Sequence, residues 1–160
     1  MTAPNRLVIA TDGSCLVNPG GPGGWAWATA ADSWAAGGHR STTNNLMELR
    51  AVYEALLAVP SEVPVLIEAD SMYVINSQTT WLAGWKRNGW RNSKREPVKN
   101  REAIQAIEEL VQRRDVQWRH VKGHSGHLLN EICDLRAGEA AAAVRDGLAV
   151  DGGPGLRIPV

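Results

Sequence analysis

Arg6-Leu-Val-Ile-Ala-Thr-Asp12 is the stretch on which the fold turns. Its consecutive aliphatic residues, two of them β-branched, favour an extended strand buried on both faces, hence a central one. Gly13 to Gly24 follows as a loop dense in glycine and proline. Trp25-Ala-Trp-Ala-Thr29 alternates as a second strand, and Ser33 to Arg40 returns as a third, closing an antiparallel meander. The pattern then changes period. Leu46, Leu49, Val52, Tyr53, Leu56 and Leu57 recur at helical spacing, which predicts a helix over Asn45 to Val59, with Pro60 and Pro64 at its exit. Val65-Leu-Ile-Glu-Ala-Asp70 reads as a fourth strand, followed by short helices around 71–79 and 81–87. A helix over Asn100 to Arg114, a strand over Val116 to Val121, a turn at Gly123 to His127 and a helix over Leu128 to Arg145 complete the order. Three strands followed by helices alternating with two more predict an α/β (α+β mixed) architecture. The expectation is a five-stranded mixed sheet with helices on both faces and strands one and four as its central pair.

A chain of 160 residues predicts one domain with a core that needs no staples. Apolar residues make up 44% and charged residues 21%, which excludes disorder along the whole chain. No stretch approaches the roughly 18 uninterrupted apolar residues of a membrane helix. The N-terminal apolar run is too short for a secretion signal, so no membrane association and a cytoplasmic location are expected. Cys15 and Cys133 fit free thiols in a reducing compartment. Residues 147–160 carry four glycines and no periodicity, predicting a flexible C-terminal tail on a domain of residues 1–146.

The net charge of zero hides an asymmetry. From Trp81 to Arg101 seven cations (Lys86, Arg87, Arg91, Lys94, Arg95, Lys99 and Arg101) face one acid, Glu96. Trp81, Trp85 and Trp90 lie in the same segment. Cations attract phosphates and aromatic rings pack on sugars or bases, so this acidic body carries one element suited to nucleic acid. The alternative is a solvated helix face with core tryptophans.

Four acids fall at element ends. Asp12 closes the first strand, Asp70 the fourth, Glu48 lies in the first turn of the first long helix, and Asp134 early in the last. Neighbouring strand ends in such sheets form ligand crevices. Carboxylates converging there repel one another unless hard cations such as Mg²⁺ intervene. Each acid also has an ordinary reading: Asp12-Gly13 as a turn, Asn45 to Glu48 as a capping box, Asp70-Ser71 as a helix cap, and Asp134 as a surface acid.

Thr11-Asp12-Gly13-Ser14 with Asn18-Pro19-Gly20, followed by Thr42-Thr-Asn-Asn-Leu-Met-Glu-Leu49, resembles the opening strand and loop and then the first-helix signature of the type 1 ribonuclease H family. Asp70-Ser71-Met72-Tyr73 resembles the third acid motif, and Trp81 to Trp90 with Pro97-Val-Lys-Asn100 the basic protrusion. Val121-Lys-Gly-His-Ser-Gly-His127 with Asn130-Glu131 and Cys133-Asp134 resembles the closing motif. The resemblance spans residues 6 to about 145 and implies a ribonuclease H fold. It also implies hydrolysis of the RNA strand of RNA–DNA hybrids, leaving 5′-phosphate and 3′-hydroxyl ends, as in removal of RNA primers and R-loops.

The resemblance further implies that Asp12, Glu48, Asp70 and Asp134 ligate two Mg²⁺ ions, with Mn²⁺ as a substitute, and that His124 aids proton transfer or product release. It makes Asn18, Asn44 and Asn45 readers of 2′-hydroxyls, with Cys15 contacting sugars or bases. Thr43 and Asn100 would grip a DNA-strand phosphate, and Trp81 and Trp85 would pack on deoxyribose. Trp90, Lys86, Arg87, Arg91 and Lys94 complete the expected interface of a monomeric enzyme. Three other readings stay open: a metal nuclease of this fold acting on DNA junctions, a zinc-dependent module built on His124, His127 and Cys133, and a binding protein without activity.

Overall fold

A computed structural model describes residues 5–158; the first four and last two residues of the expected domain and tail lie outside them. Strands β1 (Leu7–Cys15), β2 (Gly23–Ala30) and β3 (Ser33–His39) precede helix α1 (Asn44–Ala58). Then come β4 (Val65–Ala69), α2 (Met72–Gln78), α3 (Leu82–Arg87), α4 (Arg101–Gln112), β5 (Val116–His120) and α5 (Leu128–Arg145). The sheet order is β3-β2-β1-β4-β5. β1, β2 and β3 form the expected antiparallel meander, while β1–β4 and β4–β5 are parallel. β1 is therefore the middle strand, and its buried Ile9, Ala10 and Thr11 explain the unbroken apolar run.

The glycine-rich stretch is not all loop. β1 continues to Cys15 and β2 begins at Gly23, with Ser14 opposite Gly24 and Cys15 opposite Gly23. Asp12-Gly13 is thus strand, opposite Ala26 and Trp25, and the turn reading fails.

Two layers cover the sheet. On one face Ile9, Trp27 and Ile67 pack with Leu49, Val52 and Leu56 of α1 and Ile104 and Ile107 of α4. Each such fully buried aliphatic side chain contributes roughly 1.5–3 kcal/mol. On the other face α5 lays Cys133, Ala137 and Ala140 on Ala10, Ala26, Ala28 and Ala36. Apart from Trp34, the buried residues of this second layer are small. A Cβ on Gly24 would stand 2.2 Å from the Ala137 carbonyl oxygen, so the backbone of α5 rests directly on β2. Cys15 and Cys133 are both unbridged.

The segment after α5 departs from the expected loose tail. Its Gly155 N–H donates to the Trp34 carbonyl (2.9 Å), the Arg157 N–H to the Ser33 hydroxyl (2.7 Å), and the Ala36 N–H to the Gly152 carbonyl (3.2 Å). Leu156 and Val150 pack against the two apolar layers. Arg136 lies 4.0 Å over the Trp34 ring and 3.9 Å from Asp151. The missing helical period reported the absence of a helix; an irregular chain bridged to β3 at Trp34 and Gly155 needs none.

Candidate active site

Three acids meet where β1 leaves its pairing with β4, at the carboxyl end of β4. Thr11 pairs with Ala69 across the parallel ladder, so the residues that follow, Asp12 and Asp70, emerge side by side. Glu48 reaches them from α1. A Cβ on Gly13 would stand 2.3 Å from the Glu48 backbone nitrogen, so only a glycine lets α1 close onto β1 there. One carboxylate oxygen from each of Asp12, Glu48 and Asp70 lies within 4.8 Å of the others.

The caps explain why these acids are available. Thr43 caps α1, its hydroxyl accepting from the Leu46 N–H (3.1 Å). The helix thus begins one residue earlier than expected. No capping box uses Glu48, which stands past the first turn. Ser71 caps α2, its hydroxyl accepting from the Val74 N–H (3.3 Å), which releases Asp70 in the same way. Hydroxyl residues satisfy the helix donors; the carboxylates are left for the crevice.

Crowding and burial set the charge state. Burial, together with the nearby Asp70 charge, pushes Asp12 up from 3.8 to about 7, against hydrogen bonds from Glu48 and the Gly13 N–H. Burial and the Asp12 charge raise Glu48 well above its ordinary value. Asp70 is raised by burial and by Asp134. Asp134 is exposed on α5, outside the tight trio, yet its field reaches Asp12 and Asp70.

Gly123 passes beside Asp70, where a Cβ would stand 3.0 Å from Oδ2. His124 follows with left-handed backbone (φ 56°) and an exposed ring whose charge lowers the Asp70 pKa. The zinc reading does not survive. Cys133 is buried with its thiol directed to the Ala10 carbonyl (3.3 Å), and burial raises its pKa. Among the described residues the acid trio is the one group of His, Cys, Asp and Glu drawn together closely enough to hold a metal.

That trio fits a hard divalent cation. Its donors are all carboxylate oxygens, and the buried Glu48 Oε2 has no hydrogen-bond partner. The raised Asp12 pKa carries a consequence for the metal-free protein. A carboxyl whose folded pKa exceeds its unfolded value binds a proton preferentially when folded. Its stabilising contribution is full below about pH 4 and is lost as pH rises through about 7. In EDTA, the melting temperature of Asp12→Asn relative to wild type should therefore climb by about 3–10 °C between pH 5 and pH 8. An equal gap at both pH values would show that Asp12 titrates normally.

The family model described as RNase H matches residues 4–142. The chain belongs to the ribonuclease H family. The ribonuclease H of Tropheryma whipplei is 45% identical over 152 residues, 94% of each chain. That of Bordetella bronchiseptica is 49% identical over 143 residues, 88% of this chain and 92% of the relative. A crystal structure of a type 1 ribonuclease H carrying the type 2 active-site motif superposes with a TM-score of 0.74 and 28% identity, covering 98% of this chain and 79% of that one.

The other residues singled out by the ribonuclease H resemblance sort by position. Asn18, Asn44 and Asn45 gather at the start of α1, where the Asn18 carbonyl oxygen Oδ1 accepts from the Asn44 N–H (3.2 Å). The Cys15 thiol is turned into its own loop, 3.1 Å from the Val17 carbonyl. Trp81 and Trp85 lie with ring centroids 5.6 Å apart and planes tilted by 49°, and they flank an open groove also lined by Arg87 and Arg91. Trp90 departs from expectation: at 8% exposure it belongs to the core beneath Arg101, so its ring is packing and not surface. Lys86 departs too, being paired with Glu108 of α4 at 2.5 Å. The closing motif contains Asn130 but gave it no role: it is 4% exposed, its side chain holds the Asp70 pKa down, and its buried Nδ2 has no hydrogen-bond partner; it lies one turn before Asp134, and that i, i+4 spacing was its signal. Among the described residues no helix is long and apolar enough to cross a membrane.

Proposed function

We propose that this chain hydrolyses the RNA strand of RNA–DNA hybrids with divalent cations, Mg²⁺ first among them and Mn²⁺ as a substitute. The observation that carries the reading is the trio Asp12, Glu48 and Asp70, with carboxylate oxygens within 4.8 Å in a ribonuclease H fold. These residues, joined by Asp134, would hold a pair of ions. When bound, such ions polarise the scissile phosphate, lower the pKa of an attacking water and stabilise the leaving 3′ oxygen. The chain's own groups prepare that site. The Gly13 N–H fixes Asp12 Oδ1 at 2.9 Å, Asn130 and Gly123 bound Asp70, and the exposed imidazole of His124 stands ready to move a proton.

Residues 1–146 would form the catalytic domain of a monomeric, cytoplasmic enzyme that removes RNA primers and R-loops. Asn18, Asn44, Asn45 and Cys15 would read the RNA side, and Thr43, Asn100, Trp81 and Trp85 the DNA side. The deciding experiment offers labelled RNA–DNA hybrid, RNA–RNA and DNA–DNA duplexes with Mg²⁺ or EDTA. Cutting confined to the RNA of the hybrid, abolished by EDTA, is expected; cutting of a DNA substrate would favour a junction nuclease.

The basic segment has its own test. Lys86 is engaged by Glu108, so Arg87, Arg91 and Lys94 are left to face the phosphates. Neutralising those three should raise the Michaelis constant far more than it lowers turnover. With Ca²⁺ replacing Mg²⁺, every cation–phosphate pairing removed should flatten the slope of log affinity against log salt by about 0.7–0.9. Trp81→Ala should weaken binding with the slope preserved, because sugar packing releases no counterions. An unchanged slope in the triple variant would mean that the cations only face solvent.

A further inference from the structure

Asn100 heads α4 in left-handed backbone (φ 62°), yet its side chain makes no helix-cap bond. Its amide Nδ2 donates instead to the hydroxyl of Tyr73 (2.9 Å), 27 residues earlier on α2. Helix capping therefore does not explain this asparagine. A second tie reinforces the first: Gln78 Nε2, at the far end of α2, donates to the Ile104 carbonyl of α4 (3.0 Å). α2 begins two residues after Asp70, so it joins an acid of the site at one end to α4 along its length. The Tyr73 ring in turn stands 6.0 Å from Trp81, the first of the two neighbouring tryptophans.

We infer that Tyr73 is a positioning residue, whose hydroxyl fixes the Asn100 amide at a set reach from Asp70 and so registers the DNA-strand grip to the point of cleavage. The inference rests on the reading of Asn100 as a phosphate ligand. An amide nitrogen carries two N–H donors. One is committed to Tyr73, which settles the plane of the amide and leaves the other for a phosphate oxygen. The Tyr73 hydroxyl, accepting from Asn100, keeps its own proton as a neighbouring donor. Loss of the hydroxyl lets the amide rotate while leaving the ring against Trp81 and the core.

Tyr73→Phe tests this, since it removes one oxygen and keeps the tilted ring contact with Trp81. The Michaelis constant for hybrid should rise about three- to tenfold, the worth of one hydrogen bond, with turnover nearly unchanged. Cleavage of a hybrid with a single defined site should spread to neighbouring phosphates. Asn100→Ala should raise the Michaelis constant further, and Tyr73→Phe added to it should do nothing more. Full additivity of the two changes overturns the inference, as does wild-type behaviour of Tyr73→Phe beside an impaired Asn100→Ala. If Asn100→Ala alone is silent, the phosphate reading of Asn100 has failed and the inference falls with it. A matched thermal melt of Tyr73→Phe separates positioning from folding: equal loss of turnover and melting temperature would make the hydroxyl merely structural.

Discussion

Asp70→Asn abolishes hybrid cleavage, by at least about 10³-fold or some 4 kcal/mol of transition-state stabilisation, while hybrid binding in Ca²⁺ stays measurable. The substitution preserves shape in a place where shape matters. Gly123 leaves room for little more than the Asp70 carboxylate, and the buried Asn130 side chain lies near enough to favour its charge. What is lost is a charged oxygen donor, for which a neutral amide is a poor replacement toward a hard cation. The free protein should melt slightly higher, because Asp134 and burial both disfavour the Asp70 charge. Activity within tenfold of wild type at equal Mg²⁺ would remove Asp70 from the reaction. His124→Ala supplies the contrast. A group that moves a proton contributes about 10²–10⁴-fold at most, so this variant should be slowed and remain active.

Gly13→Ala is expected to damage fold and reaction together. The new methyl would meet the Glu48 backbone nitrogen at 2.3 Å and the Met47 carbonyl carbon at 2.5 Å, and backbone cannot rotate aside as a side chain can. α1 must lift from β1, drawing Leu49, Val52 and Leu56 from the core it shares with Ile9 and Ile67. Overpacking of this kind costs about 1–3 kcal/mol, and a shift near 1 Å at Glu48 costs about 10² in rate. Gly138→Ala is the control. It lies in α5 with nothing near its Cβ position, so a methyl there should stabilise the helix by about 0.5–1 kcal/mol. Normal activity and stability in Gly13→Ala would mean that α1 does not rest on β1 as described.

The element order was legible because each element has its own local period: the run at Leu7–Ala10, the helical spacing from Leu46 to Leu57, the alternation at Val116–His120. Strand ends were less so. Gly23-Gly24 reads as loop by composition, and only its pairing with Ser14 and Cys15 makes it strand. The acids were legible as a set, but their freedom from capping depends on Thr43 and Ser71, one residue before each helix. Trp81 and Trp90 look alike in sequence; one is 37% exposed and the other buried, a difference made by how the segment folds back over α4. The Lys86–Glu108 pair spans 22 residues and no local pattern announces it.

The segment of residues 152–157 bonded beside β3 bears on how this sheet meets other chains. An outermost strand offers unpaired N–H and C=O groups, a template onto which a foreign segment can add. Here the Trp34 carbonyl, the Ala36 N–H and the Ser33 hydroxyl are already taken. The opposite margin, β5, has five residues and carries Arg119, tied to Glu68 at 2.7 Å. A polypeptide seeking to lengthen this sheet would first have to peel the protein's own chain from one border, or seat itself beside a short charged strip on the other.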